Sequence, residues 1–403
     1  MFTHVPDHPR PALLVMAGLL LSLLASGCSS SEGVGPTYLT QAVAVADLTG
    51  DGRPDVLSAN AAFDHGAHVP GFLTSRNQDS LKPGAFLAPV RSDTGLDPVA
   101  IAVGDLDGDG LPDVAVASHS STTGTYHVDV QFQVGAEPGA FSAPLQLSLG
   151  ARRPVDLVLA DLNGDGRLDI AVAASGAQDV QVFFQGATPG TFDPPFGLAV
   201  GGEPTAVAAG DLTGAGRVDL VVTTAGGKAS VLIHGSSPGT FQPSVDHPAG
   251  TTPVAVQIAD LNGDGHGDML VADYRGALLV LPQSPGGGGT FEAAVRHDTL
   301  DDGSCAVAAA DLDGDGALDV VVASAGAPGF PGSVAVFLQN PAVPGALQPA
   351  VLYRGYYGPL SVAIADLDGD GRPDLVVADG SSAIRFQDPA RPGRFLPPVW
   401  LRQ

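Results

Sequence analysis

The chain has 403 residues, with 18 Lys and Arg against 43 Asp and Glu and a formal charge of -25 at pH 7. Its basic residues are scattered, with Arg152-Arg153 the one adjacent pair, so no nucleic-acid-binding surface is expected, and two cysteines cannot build a disulfide framework. It carries no phosphate loop or dinucleotide fingerprint, and it reads as non-enzymatic.

Residues 1–27 read as an export signal. Arg10 precedes an apolar run from Ala12 to Leu24, too short to span a bilayer comfortably, and the small residues Ala25, Ser26 and Gly27 follow. Leu24-Ala25-Ser26-Gly27-Cys28 resembles the lipobox of bacterial lipoproteins. That resemblance implies cleavage before Cys28, lipidation of that cysteine and membrane attachment through this anchor alone. With Ser29 rather than Asp next, it points to the outer membrane or cell surface of a Gram-negative host. An ordinary signal peptide with a chance cysteine is the competing reading. Residues 28–37 have the composition of a short flexible tether, and the folded body is expected over 38–403.

That body is punctuated by seven copies of a nine-residue unit, beginning at Asp47, Asp105, Asp161, Asp211, Asp260, Asp311 and Asp366, 49 to 58 residues apart. Such a period means seven supersecondary units rather than unrelated domains. The copies offer side-chain oxygen at positions 1, 3, 5 and 9, with glycines at 4 and 6 for the left-handed backbone of a tight turn. Two carboxylates about 4 Å apart repel by roughly 4 kcal/mol at an effective dielectric of ~20, so converging carboxylates require a cation, and an empty loop is expected to be strained or mobile. With no His or Cys at the ligand positions, the all-oxygen set favours calcium over magnesium, zinc or copper.

The copies are not equal. Asp105, Asp107, Asp109 and Asp113 supply four carboxylates, as do Asp311, Asp313, Asp315 and Asp319, and Asp366, Asp368, Asp370 and Asp374. These three loops are expected to bind best. Position 3 loses its charge in the sets Asp47, Thr49, Asp51, Asp55; Asp161, Asn163, Asp165, Asp169; and Asp260, Asn262, Asp264, Asp268, which should bind less tightly. The fourth copy has Ala215 at position 5, so its site is expected to be weak or empty and the calcium content about six ions. An EF-hand does not fit: position 12 is Ser58 or a valine rather than Glu, and the flanks are short and β-branched.

Four strands can be read in each repeat, in the second one roughly Val99 to Val103, Asp113 to Ser118, His127 to Val134 and Leu145 to Leu149. A Pro-Gly-x-Phe turn joins the last two, as in Pro138-Gly139-Ala140-Phe141, and its aromatic residue is expected to anchor neighbouring sheets. Ala or Gly always precedes the first Asp, which suggests crowding where inner strands converge on an axis. Seven such sheets arranged radially make an all-β, seven-bladed β-propeller of four-stranded antiparallel blades. The seventh blade either closes as one continuous repeat or borrows an edge strand from residues near Tyr38.

These Asp-x-Asp-Gly-Asp-Gly-x-x-Asp units resemble the FG-GAP/VCBS repeats of integrin α-subunit propellers and of many bacterial surface proteins. The resemblance implies calcium held by positions 1, 3, 5 and 9 together with the position-7 carbonyls of Arg53, Leu111, Arg167, His266, Ala317 and Arg372.

Of the 43 acidic residues, 23 lie in the seven loops, so the charge is largely metal-binding chemistry. Cys305 stands where other repeats have Val or Leu and is expected to be a small buried hydrophobe. The pair His65 and His68 reads as solvated surface. The functional expectation is a monomeric, lipid-anchored, extracytoplasmic calcium-binding scaffold that binds an extracellular protein or glycan through loops that break the repeat, 62–70, 118–126 and 325–332. The alternatives are a calcium-dependent polysaccharide lyase or hydrolase using a loop-borne residue such as His266, and a structural subunit of an envelope complex.

Overall fold

A computed structural model describes residues 37–401, except 65, 66, 95, 96, 121–123, 136, 137, 328 and 329. The export signal, Cys28, the tether up to residue 36 and His65 lie outside the described residues.

Among the described residues, 28 strands form seven four-stranded antiparallel sheets, each laid down in chain order from first strand to fourth. First strands of consecutive blades contact one another around the whole ring, and Ser361–Ala365 of the seventh blade meets Thr37–Ala46 of the first. The result is a seven-bladed β-propeller.

The second strand of every blade starts at position 9 of the nine-residue unit, as in Asp113–His119, Asp219–Thr224 and Asp319–Ser324. Both its faces are covered by neighbouring strands and blades, which is why it reads as a near-continuous run of Val, Ala and Leu rather than an alternation. Val320, Val321 and Val322 are all fully buried. Fourth strands such as Val245–Pro248 and Val295–Asp298 are short and mostly exposed, and their charged residues blunt an otherwise open edge.

The apolar core is divided among the interfaces between blades. One cluster joins Val114 and Val116 of the second blade to Leu57 and Leu73 of the first, and another joins Val376 and Ile384 of the seventh to Val43 and Val56 of the first. Each aromatic of the Pro-Gly-x-Phe turns enters the cluster shared with the preceding blade: Phe86, Phe141, Phe192, Phe241, Phe291 and Phe395. Leu347 takes this place in the sixth blade. The turn residues therefore lock one blade onto the next, as their sequence position suggested.

Closure needs no exchanged segment. The outermost strand of the seventh blade is Val399–Leu401, and Thr37–Ala46 is the innermost strand of the first, so every blade is one continuous repeat. At the seam the Thr40 N–H donates to the Gly380 carbonyl at 3.2 Å, and the Ser58 and Ser382 hydroxyls lie 2.7 Å apart.

Two expectations change in detail. The small residue before each first Asp is crowded by side chains of the next blade rather than by backbones meeting at the axis. A Cβ added to Gly104 would stand 2.5 Å from Leu168 Cδ1 and 3.3 Å from Leu159 Cδ1 of the third blade, and one at Gly210 would stand 3.2 Å from Ile258 Cγ2 of the fifth. Cys305 is half-buried rather than enclosed in a core, because its strand face lines an axial cavity of about 560 Å³ walled by first strands of all seven blades. Its Sγ lies 2.7 Å from the Pro359 carbonyl oxygen, and desolvation pushes the thiol up to about 12, far from a reactive thiolate.

Candidate metal centres

The nine-residue unit connects the first strand of each blade to the second, and its turn is organised by the carboxylate at position 1. In the second blade the N–H groups of Gly108 and Gly110 donate to Asp105 at 2.6 and 3.0 Å, and in the seventh those of Gly369, Asp370 and Gly371 donate to Asp366 at 2.7 to 3.1 Å. Asp47, Asp161, Asp260 and Asp311 accept from their own loops in the same way. Gly108 and Gly110 have φ of 80° and 86°, the left-handed values that let successive N–H groups face one carboxylate.

Position 5 is exposed and is set by position 7. The N–H groups of Arg53, Leu111, Arg167, His266, Ala317 and Arg372 donate to Asp51, Asp109, Asp165, Asp264, Asp315 and Asp370 at 2.8 to 3.0 Å. Thr49, Asp107, Asn163, Asn262, Asp313 and Asp368 at position 3 are half-buried between them. Arginine heads at position 7 are also engaged: Arg167 and Arg372 pair with Asp165 and Asp370, and Arg53 donates to the Ser80 carbonyl at 3.0 Å.

Position 9 does more than the sequence reading gave it. Asp55, Asp113, Asp169, Asp219, Asp268, Asp319 and Asp374 are each at most 1 % exposed, and both oxygens of every one accept a backbone N–H. One donor is the residue at position 2, from Leu48 to Asp55 at 2.9 Å round to Leu367 to Asp374 at 2.9 Å. The other is the second residue beyond the third strand: Gln78, Gln133, Gln185, His234, Gln283, Gln339 or Gln387, at 2.6 to 2.8 Å. The position-9 carboxylate thus staples the loop to the exit of the third strand while keeping free lone pairs.

Electrostatics follow from this layout. Burial pushes Asp55, Asp113, Asp169 and Asp319 up to about 6 against their backbone donors, and Asp374 up to about 7, with neighbouring loop carboxylates adding repulsion. Asp107, Asp313 and Asp368 are raised as well, by burial and then by the adjacent Asp charges. Burial acts upward on Asp47 and Asp211 too, but there the donated hydrogen bonds outweigh it and hold the group below its ordinary value.

Carboxylates from three loops come together closely enough to hold a metal ion: Asp105, Asp107 and Asp113; Asp311, Asp313 and Asp315; and Asp366, Asp368 and Asp374, their ligand atoms within 4.8 Å of one another. These are the loops with four Asp. The donor set is hard oxygen, partly solvated and mutually repelling, which fits a divalent hard cation. In the fourth loop Asp211 still gathers Thr213, Ala215 and Gly216 N–H at 2.7 to 3.2 Å and Asp219 still clamps Leu212 and His234, but Ala215 offers no side-chain oxygen.

The Gln or His following the third strand was not recognised from sequence as part of these loops. It recurs as Gln in six repeats, stands eight residues before the turn's Phe or its Leu347 replacement in five repeats and seven before it in the third and fourth, and pairs with that residue in an isolated bridge, as Gln133 with Phe141. That regularity was the available signal.

The family model of the FG-GAP-like repeat matches residues 161–222, 211–271, 260–322 and 311–377, and that of the FG-GAP repeat matches residues 98–130. Each of the four longer spans runs from the first Asp of one loop into the strand beyond the next. No curated protein matches the chain.

Proposed function

Because the chain belongs to the FG-GAP repeat family, we propose that it is a calcium-stabilised, non-enzymatic propeller that serves as an extracytoplasmic binding scaffold for a protein or a glycan. The observation that carries this reading is the separation of its loops. Every acidic loop joins first to second strand, whereas the irregular connections 62–70, 118–126 and 325–332 join second to third and so leave the opposite end of the antiparallel blade. Metal and recognition then occupy different faces of one rigid ring.

Calcium is the cation that this donor set suits best, with oxygen ligands at positions 1, 3, 5 and 9 and the position-7 carbonyl completing each site. Asp, Asn and Thr would hold it, and it would neutralise the repulsion that raises the buried position-9 groups. A hydrolytic role would need a free base beside a metal loop. The position-7 arginines are instead tied into their own loops or to the Ser80 and Gly235 carbonyls, and His266 stands at the same motif position, which supports a non-catalytic role. Lipid attachment through Cys28 would place the ring at a membrane surface, with the tether entering the first inner strand.

The test is a glycan array and a surface crosslinking experiment with the purified chain, each run in calcium and in chelator. Calcium-dependent capture of a defined glycan or a single surface protein is expected. Catalytic turnover of a polysaccharide, abolished by His266→Ala, would overturn the reading.

A further inference from the structure

We infer that the glutamine after the third strand positions the metal loop of the preceding blade, so that the loops are coupled in two separate arcs. This rests on the calcium reading above, but it concerns residues that contribute no ligand.

The side-chain amides carry the argument. Nε2 of Gln133 donates to the Leu48 carbonyl of the first blade at 2.9 Å, and Nε2 of Gln185 donates to the Leu106 carbonyl of the second. On the other side of the ring, Gln339 donates to Leu261 of the fifth blade at 2.7 Å and Gln387 to Leu312 of the sixth at 2.8 Å. Each acceptor is the position-2 carbonyl, part of the peptide that leads into the position-3 ligand. Its orientation fixes where Thr49, Asp107, Asn262 or Asp313 starts.

The same glutamines are held from behind. Each backbone N–H is clamped by the position-9 carboxylate of its own loop, as Gln387 by Asp374 at 2.7 Å. The amide oxygen of Gln339 accepts the Gly345 N–H of the following turn at 3.0 Å. All four are buried, between 2 and 7 % exposed. Ordering one loop therefore orders the residue that shapes its neighbour's loop.

The chain of contacts is interrupted at three interfaces. His234 replaces Gln in the fourth blade and turns its Nδ1 toward the Val218 carbonyl of its own loop, at 3.3 Å. Gln283, whose turn is the irregular glycine run, donates to its own Gly267 at 3.2 Å, and Gln78 at the ring seam donates to its own Pro54 at 2.7 Å. Loops one to three thus form one arc and loops five to seven another. The fourth loop, which also lacks a position-5 ligand, stands between them.

The test is hydrogen exchange resolved by peptide, on the full chain across a calcium titration, comparing Gln387→Met with Gln283→Met and Gln78→Met. Met keeps the length and removes the donor. The controls remove an amide at the same blade position that does not bridge, so general destabilisation appears in all three. Gln387 Nε2 also donates to its own Pro373 carbonyl at 3.0 Å, the kind of bond the controls lose, so Gln387→Met is expected to shift the calcium midpoint for protection of residues 311–319 upward about three- to tenfold through loss of the one buried hydrogen bond to Leu312, while the controls leave that loop's midpoint in place. An unchanged midpoint for 311–319 in Gln387→Met, or an equal shift in the controls, would overturn the coupling. If no loop of the unaltered chain gains protection with calcium, the underlying metal reading fails instead.

Discussion

The fourth and seventh blades share one turn and differ at two of the four side-chain positions a cation would use. In both, position 1 gathers the loop's N–H groups, and position 9 is buried and bonded to two backbone donors, Leu212 and His234 in one case, Leu367 and Gln387 in the other. The fourth has Thr213 and Ala215 where the seventh has Asp368 and Asp370, and His234 where the seventh has Gln387. The turn is thus built by two carboxylates acting on backbone donors, and the two loops differ in the side-chain oxygen they offer at positions 3 and 5. The fourth loop, with only Asp211 and Asp219, satisfies its donors from within, so the expectation of strain or mobility without metal bears on the loops whose carboxylates repel one another.

The largest separation between the two blades should come from chelation. A ligand bound only by the native state stabilises it by about 2.7 kcal/mol per site at a hundred times its Kd, so removal of calcium should lower Tm by many degrees. Peptide-resolved exchange should place most of the lost protection at residues 366–374 and little at 211–219. An unchanged melt in excess chelator would contradict the calcium assignment.

Asp219→Ala should rank next. It leaves two buried backbone N–H groups without an acceptor, at roughly 1–3 kcal/mol each, and the loss should be the same in calcium and in chelator. Urea midpoints under both conditions check this. A loss seen only in calcium would make Asp219 a ligand first and a clamp second.

The pH dependence sharpens the contrast further. A carboxyl raised above its ordinary 3.8 contributes stability that is full below that value and is lost as pH rises through its folded value. Asp55, Asp113, Asp169 and Asp319 at about 6 and Asp374 at about 7 therefore make the chelated protein less stable at pH 8 than at pH 5. Calcium, which favours the ionised forms, should flatten or reverse that trend. Denaturation at the two pH values, with and without calcium, measures the sign.

The smallest effect expected is a gain. Ala215→Asp restores position 5 beside the Arg217 N–H, in the place where Asp370 meets Arg372 in the seventh blade. Calorimetry should count one more calcium ion in the variant, of lower affinity than the three all-Asp loops because position 3 is still Thr213, as it is Thr49 in the first loop. No added ion would mean that the fourth loop lacks more than its position-5 oxygen.

Much of this was legible in the chain itself. Seven evenly spaced Asp/Gly units, short apolar runs beginning at position 9 and a recurring Pro-Gly-x-Phe turn defined blade number, strand order and turn anchors, because each is a local pattern repeated with a fixed period. The oxygen-bearing residues at positions 1, 3, 5 and 9 were equally plain, and so was the missing oxygen at Ala215. The second role of Asp55 and its six counterparts was hidden, since an Asp that ligates and an Asp that accepts two N–H groups are the same letter. Gln133 and Gln387 were passed over for the same reason: a polar residue after a strand looks like a solvated turn until its amide is found on the preceding blade.

The sequence by itself determined that the chain is a seven-unit β-propeller with acidic loops, because period, polarity and turn chemistry act over a few residues. Tertiary structure decided three things: that closure occurs by packing of complete blades, that position 9 is a buried clamp, and that Gln185 reaches the loop of another repeat. Each depends on contacts between residues far apart in the chain, Gln185 with Leu106 or Thr40 with Gly380, whose geometry exists only once the ring has formed.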